Sequence, residues 1–316
     1  MPDLLHPALL LQAFYLTASA ITLIVYLIPP LNTRFLAYGA RDLADGRPKP
    51  TTTATNKAPE SRATAASSLL DHIADIKVPH KWFTHFYVVS VTSSIFWAYE
   101  ITTHGPIYTS LAAFVPDTGN PNPSVQAFGC WALLGMQGIR RLYECLRQPQ
   151  GSSKMWIGHY AIGIAFYLAT GIAIWVEQLP GLKAFHALAD DGSANYAFSG
   201  SLPVMDVMAL GVFTGASLDQ NILHRHLRSL KKYTIPTHPT FDWITAPHYT
   251  CECLIYLALA VLSRSNGNYL NNTMATALVF VVVNLGISAD GTKKWMAAKF
   301  GDGKVPARWR MIPYVW

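Results

Sequence analysis

Residues 271–294 read NNTMATALVFVVVNLGISADGTKK. From Met274 to Ile287 the run holds no charge, and Asp290 is the single charged residue before Lys293 and Lys294. A helix of about 20 residues crosses a hydrocarbon layer of about 30 Å, so 271–292 is a candidate membrane span. Working outward, six more apolar stretches of this kind occur, at 7–30, 82–103, 124–146, 154–178, 203–228 and 247–264. Assigning successive gaps alternately to two sides separates the charge. Of the 24 Lys and Arg, all but Lys183 and Arg264 fall on one side, in the gaps after the first, third, fifth and seventh stretches or at the span ends beside them. Basic residues collect on the cytoplasmic side. The expected fold is therefore all-α: one polytopic membrane domain over 1–316 with seven transmembrane helices, its N-terminus outside and its C-terminus in the cytosol.

Composition agrees. Charged residues make up 13% of the chain and hydrophobic residues 51%, against about 25% charged in soluble domains. The formal net charge of +6 then reflects the one-sided basic loops and whatever anion the cytosolic face holds, not a nucleic-acid surface. Asp3 precedes the first stretch where a signal peptide would carry basic residues, and Pro29-Pro30 ends it without a small-residue cleavage site. It reads as a retained span. Cys130, Cys145, Cys251 and Cys253 lie in or near spans with no C-x-x-C, which reads as buried reduced thiols. The one sequon, Asn271-Asn272-Thr273, falls on the outer side, too close to the membrane to expect a glycan.

Residues 46–68, GRPKPTTTATNKAPESRATAASS, lack an apolar period and read as a disordered cytosolic loop. The outer segments 104–123 and 180–202 read as loops. No soluble domain is long enough to stand alone, so any chemistry must sit in the bundle and its cytosolic edge.

Ionisable groups in spans are costly and mark function. Here they are His85, Glu100, Arg140, Arg141, Glu144, His159, Asp206, Asp219, His224, His248, Glu252 and Asp290. Glu100 and His159 read as outer, mid-span or end positions. The others are expected near the cytosolic ends, where each could pair with a neighbouring helix or snorkel. Together they imply a polar cavity open to the cytosol. Span five places Ser217, Asn221, Arg225 and Arg228 on one helical face, a donor set suited to a large anion. His248 and Glu252 share a face one turn apart, after Pro247 at a helix start. His224 and His226 point to different faces and no H-E-x-x-H occurs, so no metal site is expected. No G-x-G-x-x-G or Walker loop occurs, so a nucleotide would be held by helix faces.

The stretch Phe241-Asp242-Trp243-Ile244-Thr245-Ala246-Pro247-His248-Tyr249, with Glu252 beyond it, resembles the signature of the steroid 5-alpha-reductase family. The chain end, Lys299-Phe300 and then Arg310-Met311-Ile312-Pro313-Tyr314-Val315-Trp316, resembles it as well. Lys81-Trp82-Phe83-Thr84-His85-Phe86-Tyr87 and Gln137-Gly138-Ile139-Arg140-Arg141-Leu142-Tyr143-Glu144-Cys145-Leu146 resemble the branch that acts on polyprenols, or polyprenals, in dolichol synthesis. The resemblance implies NADPH-dependent reduction of a C=C bond conjugated to a carbonyl, in the endoplasmic reticulum membrane. It implies that Asn221, Arg228, Tyr233, His248 and Glu252 contact the cofactor. Arg225 from the same face, Asp242 from the signature and Lys294 join them as expected cofactor residues. Departures exist: the second-span Gln-Glu pair of steroid-reducing members falls at His85-Phe86, and a third-span Tyr falls on Gly138. Cationic and His positions of the last span fall on Ser288 and Thr292, leaving Lys293 or Lys294 to supply that charge.

An isolated alkene accepts no hydride. Conjugation to an aldehyde makes the β-carbon electrophilic and places the developing charge on oxygen. The expected substrate is therefore polyprenal, with the bilayer holding its isoprenoid tail. His85 and Tyr87 are the candidate catalytic donors; two residues apart on a helix, they do not share a face. The competing readings are a 3-oxo-steroid 4-ene reductase, a non-enzymatic lipid carrier and an isoprenoid-handling methyltransferase. No obligate protein partner is evident.

Overall fold

The computed structural model describes residues 6–36, 65–115, 126–148, 153–190, 192, 202–231, 234–265, 267–301, 305 and 308–316. Long helices fall on all seven apolar stretches: α1 (Pro7–Leu27), α4 (Phe83–Thr102), α6 (Gln126–Leu146), α7 (Ile157–Val176), α9 (Val204–Ser229), α11 (Pro247–Leu262) and α12 (Asn272–Phe300). Between them lie α2 (Pro29–Phe35), α3 (Ala65–Asp75), α5 (Pro106–Ala113), α8 (Leu179–Asp190) and α10 (Thr240–Trp243). Among the described residues, α1, α7 and α12 are long and apolar enough to cross a membrane by length and composition; α11 is apolar but only 16 residues long.

Local chemistry sets the ends. Pro7 opens α1 behind His6, whose side chain accepts from the Ala8 N–H. Pro247 opens α11, where its missing N–H costs nothing. Asn271 caps α12 by accepting from the Met274 N–H at 2.9 Å, while its amide donates to the carbonyls of Ala173 and Ser263.

Helices α9 and α11 pack together, α12 packs on α1 and α11, and α4 packs on α6 and α7. The main core includes Tyr15, Trp97, Ile174, Trp175, Leu179, Leu259 and Met274. Small residues bring the α4 side together: a Cβ on Gly138 of α6 would stand 2.8 Å from Ser90 Oγ. On the outward faces of α1 and α9, Leu10, Ile24, Val204, Met208 and Leu218 are exposed.

The structure departs from the sequence reading in four places. A two-stranded antiparallel sheet pairs β1 (Lys77–Pro79) with β2 (Lys154–Trp156), so the regular structure of the described residues is helical except for this clip, which precedes the starts of α4 and α7, and an isolated bridge between Ile244 and Trp309. The segments 104–123 and 180–202, expected to be loops, contain α5 and most of α8; Glu100 accepts from the Ile107 and Tyr108 N–H groups at the α5 start. Residues 65–68, placed in the disordered loop 46–68, begin α3; 46–64 lie outside the described residues. Asp206, expected near the same helix end as Arg225 and Arg228, sits instead in the first turn of α9, paired with Arg264 and accepting from Gln126.

Candidate active site

The site is organised by three residues on one turn of α6. Arg140 and Arg141 are adjacent cations, and Glu144 lies three and four residues further on, the spacing that brings side chains together on a helix. Glu144 is 6% exposed and forms ion pairs with Nη1 of both arginines. Asn221 donates to it at 2.6 Å. His224 Nδ1 lies 2.7 Å from both Glu144 Oε2 and Arg141 Nη1, so its tautomer decides which of the two it bonds. Burying a carboxylate is costly unless charge and hydrogen bonds compensate it; here both do.

A second chain of bonds crosses from α6 to α11. Gln220, 1% exposed, accepts at Oε1 from Gln137 at 3.2 Å and from Arg140 at 2.5 Å. That fixes the amide, and its nitrogen donates to Glu252 Oε2 at 2.5 Å and to the His248 carbonyl at 3.2 Å. One Glu252 oxygen is thus committed to the protein. The His248 and His224 rings stand 5.4 Å apart, and His248 Nδ1 is buried with no protein partner.

Tyr87 completes the polar wall. Its oxygen accepts from Arg141 Nε at 3.1 Å and Nη2 at 2.8 Å. The residue is 4% exposed, and its ring meets that of Tyr167 edge to face at 5.5 Å.

Tyr87, Arg141, Gln220, His224, His248 and Glu252 border one cavity of about 470 Å³. Away from this polar wall the lining turns aromatic, with Phe83, Phe86, Phe166, Tyr167, Tyr256 and Phe280. A Cβ on Gly163 would lie 2.6 Å from Phe86 Cζ, so the glycine lets that ring stand against α7. The lining also includes the polar rim residues Tyr26, Asn32, Asp290 and Lys294. Asp290 accepts from Tyr26 at 2.8 Å and pairs with Lys294 at 2.7 Å and with Arg310. The chain end is tied to this rim: Trp309 N–H donates to the Trp243 carbonyl, and Thr245 and Ala246 N–H groups donate to Trp309 and Arg310.

The expected site residues separate on this geometry. Tyr87, His248, Glu252 and Lys294 border the cavity. His85 does not: it is exposed, bonded to Tyr160 at 3.1 Å and in ring contact with Trp82. Two residues along α4 turn it away from Tyr87, for the helical reason given above. Asn221 stands behind the wall on Glu144. Arg225 and Asp242 are exposed and Arg228 is half-buried, all outside the lining. Tyr233 lies outside the described residues. The sequence reading had not assigned Gln220 and His224 to the site, nor given Arg141 and Glu144 their roles; their appearance on i, i+3 and i+4 positions of two facing helices was the available signal.

Fold and cavity together describe a mostly helical protein with three helices long and apolar enough to cross a membrane and a buried, polar-walled chamber. Residues 183–316 match the family described as 3-oxo-5-alpha-steroid 4-dehydrogenase. A polyprenal reductase of Saccharomyces cerevisiae is 29% identical over 255 residues, covering 79% of each chain. One from Ailuropoda melanoleuca is 24% identical over 327 residues, covering 92% of this chain and 91% of that protein. The human polyprenal reductase is 24% identical, covering 71% of this chain and 73% of its own. The chain is thus similar to the steroid 5-alpha-reductase family over its C-terminal part and to polyprenal reductases over most of its length.

Proposed function

We propose that the protein is an NADPH-dependent oxidoreductase that reduces the α-isoprene C=C bond of polyprenal, the step that commits a polyprenoid to dolichol and so to protein N-glycosylation. The observation that carries this reading is the two-sided cavity. One wall offers Tyr87, braced by Arg141, with Glu252 and His248; the rest is aromatic and suits an isoprenoid. Relatives over most of the chain carry the name polyprenal reductase.

The donor set fits a nicotinamide nucleotide. His248 has a buried nitrogen without a protein partner, and Glu252 keeps one oxygen outside its bond to Gln220. These are the groups that would hold an amide-bearing ring, with Lys294, Arg225 and Arg228 as cations for phosphates. When bound, the nucleotide supplies the hydride. Tyr87 is the group that meets the aldehyde oxygen. Arg141 fills both acceptor positions of its phenol, which leaves the O–H proton to donate into the cavity. A hydrogen bond placed where negative charge develops lowers the barrier more than it stabilises the ground state. His85 recedes as a donor because it stands off the cavity wall. The aromatic lining keeps water from the reacting carbon.

Seven spans, an endoplasmic reticulum location, a lumenal N-terminus and a cytosolic C-terminus complete the proposal, supported by the basic-residue partition. A thermal-shift experiment on purified protein tests the class of activity. NADPH should raise the melting temperature and S-adenosylmethionine should not. Stabilisation by S-adenosylmethionine, or by neither ligand, would reject the reductase reading.

A further inference from the structure

We infer that Glu144 is the positioning residue that makes Tyr87 a hydrogen-bond donor to the substrate, acting through Arg141. The inference rests on the proposal that Tyr87 meets the carbonyl.

Glu144 itself does not border the cavity, and both of its oxygens are engaged by Arg140, Arg141, Asn221 and His224. It therefore has no free atom for substrate. Its effect is on Arg141. The guanidinium presents three edges: Nη1 goes to Glu144, while Nε and Nη2 go to the Tyr87 oxygen. A guanidinium is a rigid planar fork, so fixing one edge aims the others. A phenol oxygen has two acceptor positions and one proton. With both acceptor positions filled from the Arg141 side, the proton is left for the cavity side, where Tyr167 is its hydrogen-bonding neighbour until substrate takes that place.

Glu144 also sits between two adjacent cations. Without its charge Arg140 and Arg141 would repel each other, and Arg140 already has Gln137 and Gln220 to hold it, at 2.8 Å and 2.5 Å. Arg141 is the one left to swing away. The predicted consequence is specific: the Tyr87 hydroxyl loses its orientation, while Glu252 and His248 keep theirs through Gln220.

The test is a double-mutant cycle in purified protein, with NADPH and polyprenal, on the parent, Glu144→Gln, Tyr87→Phe and the double variant. Glu144→Gln should lower kcat about 10- to 150-fold, the scale of one lost charge-assisted hydrogen bond, with the NADPH Kd unchanged. In the Tyr87→Phe background the same change should cost nothing further, because residues acting as a unit are non-additive. A further loss of equal factor in that background, or weaker NADPH binding in parallel with kcat, overturns the inference, since a general packing role would give both. Should Glu144→Gln fail to fold, Glu144→Asp keeps the charge but retracts the carboxylate, and the same cycle applies. Parental turnover by Tyr87→Phe alone would instead reject Tyr87 as donor, an outcome distinct from additive losses on a slowed Tyr87→Phe.

Discussion

Replacing Arg141 with Lys isolates the geometry of the polar wall from its charge. Arg141→Ala would leave the buried Glu144 short of a cation, and breaking a buried pair from one side costs roughly 3–5 kcal/mol; instability would then mask chemistry. Lys keeps the charge near Glu144 but replaces a planar fork with one ammonium on a flexible stem. It cannot place two donors on the Tyr87 oxygen, at 3.1 and 2.8 Å, and a third on Glu144 together. At least one charge-assisted bond to Tyr87 is lost, worth about 1.5–3 kcal/mol. Carried fully into the transition state, that is about a 10- to 150-fold loss of kcat. The assay is steady-state turnover of polyprenal with NADPH, alongside the melting temperature and the NADPH Kd. Arg141→Lys should melt within a few degrees of the parent and bind NADPH equally well, yet turn over slowly. Parental kcat in a folded Lys variant would refute the claim that the fork orients Tyr87.

Gly163→Val should raise the KM for polyprenal and leave NADPH affinity unchanged, because a side chain there meets Phe86 on the aromatic wall; equal KM values would place the isoprenoid elsewhere. Asn271 should carry no glycan despite its sequon, since its amide is buried and bonded to two carbonyls; an endoglycosidase-sensitive gel shift would contradict this. Asn271→Ala should lose about 0.5–2 kcal/mol with the cap, seen as a lower melting temperature. In α8, burial and the neighbouring His104 hold the His186 imidazole below its ordinary value, with Asp190 opposing them. The unfolded chain therefore takes up that proton first. Its contribution is present above about pH 6.5 and declines as pH falls below that value. The melting temperature should drop between pH 7 and 5, and His186→Gln should flatten the profile.

Helices on the seven apolar stretches could be read from the chain because hydropathy reports long apolar runs directly, and three of them are long and apolar enough to cross a membrane. The β1–β2 clip could not, since each strand is three residues long and Pro79 ends the first. Helix α5 was hidden by its setting: a short helix among Pro, Gly and Asn, started by a carboxylate, Glu100, that reads in sequence as a membrane-buried charge. Within the site, His248 and Glu252 were visible as an i, i+4 pair, and Tyr87 as a polar residue near a span end. Choosing between Tyr87 and His85 needed the third dimension, because only the packing of α4 against α6 shows which face meets Arg141. Asn221 illustrates the same limit. Its helical face was right for a polar role, but its partner is Glu144 on α6, and no local spacing announces a contact across 77 residues.

The account stands most directly on which oxidation state of the isoprenoid is reduced. Purified protein with NADPH should be offered polyprenal and polyprenol in parallel, with products separated by chromatography and weighed by mass spectrometry. Polyprenal should gain two hydrogens at the α-isoprene unit and keep its aldehyde, while polyprenol is recovered unchanged. Direct saturation of the free alcohol by the pure protein would contradict the role assigned to Tyr87 and Arg141, because no carbonyl oxygen would be present for them to stabilise.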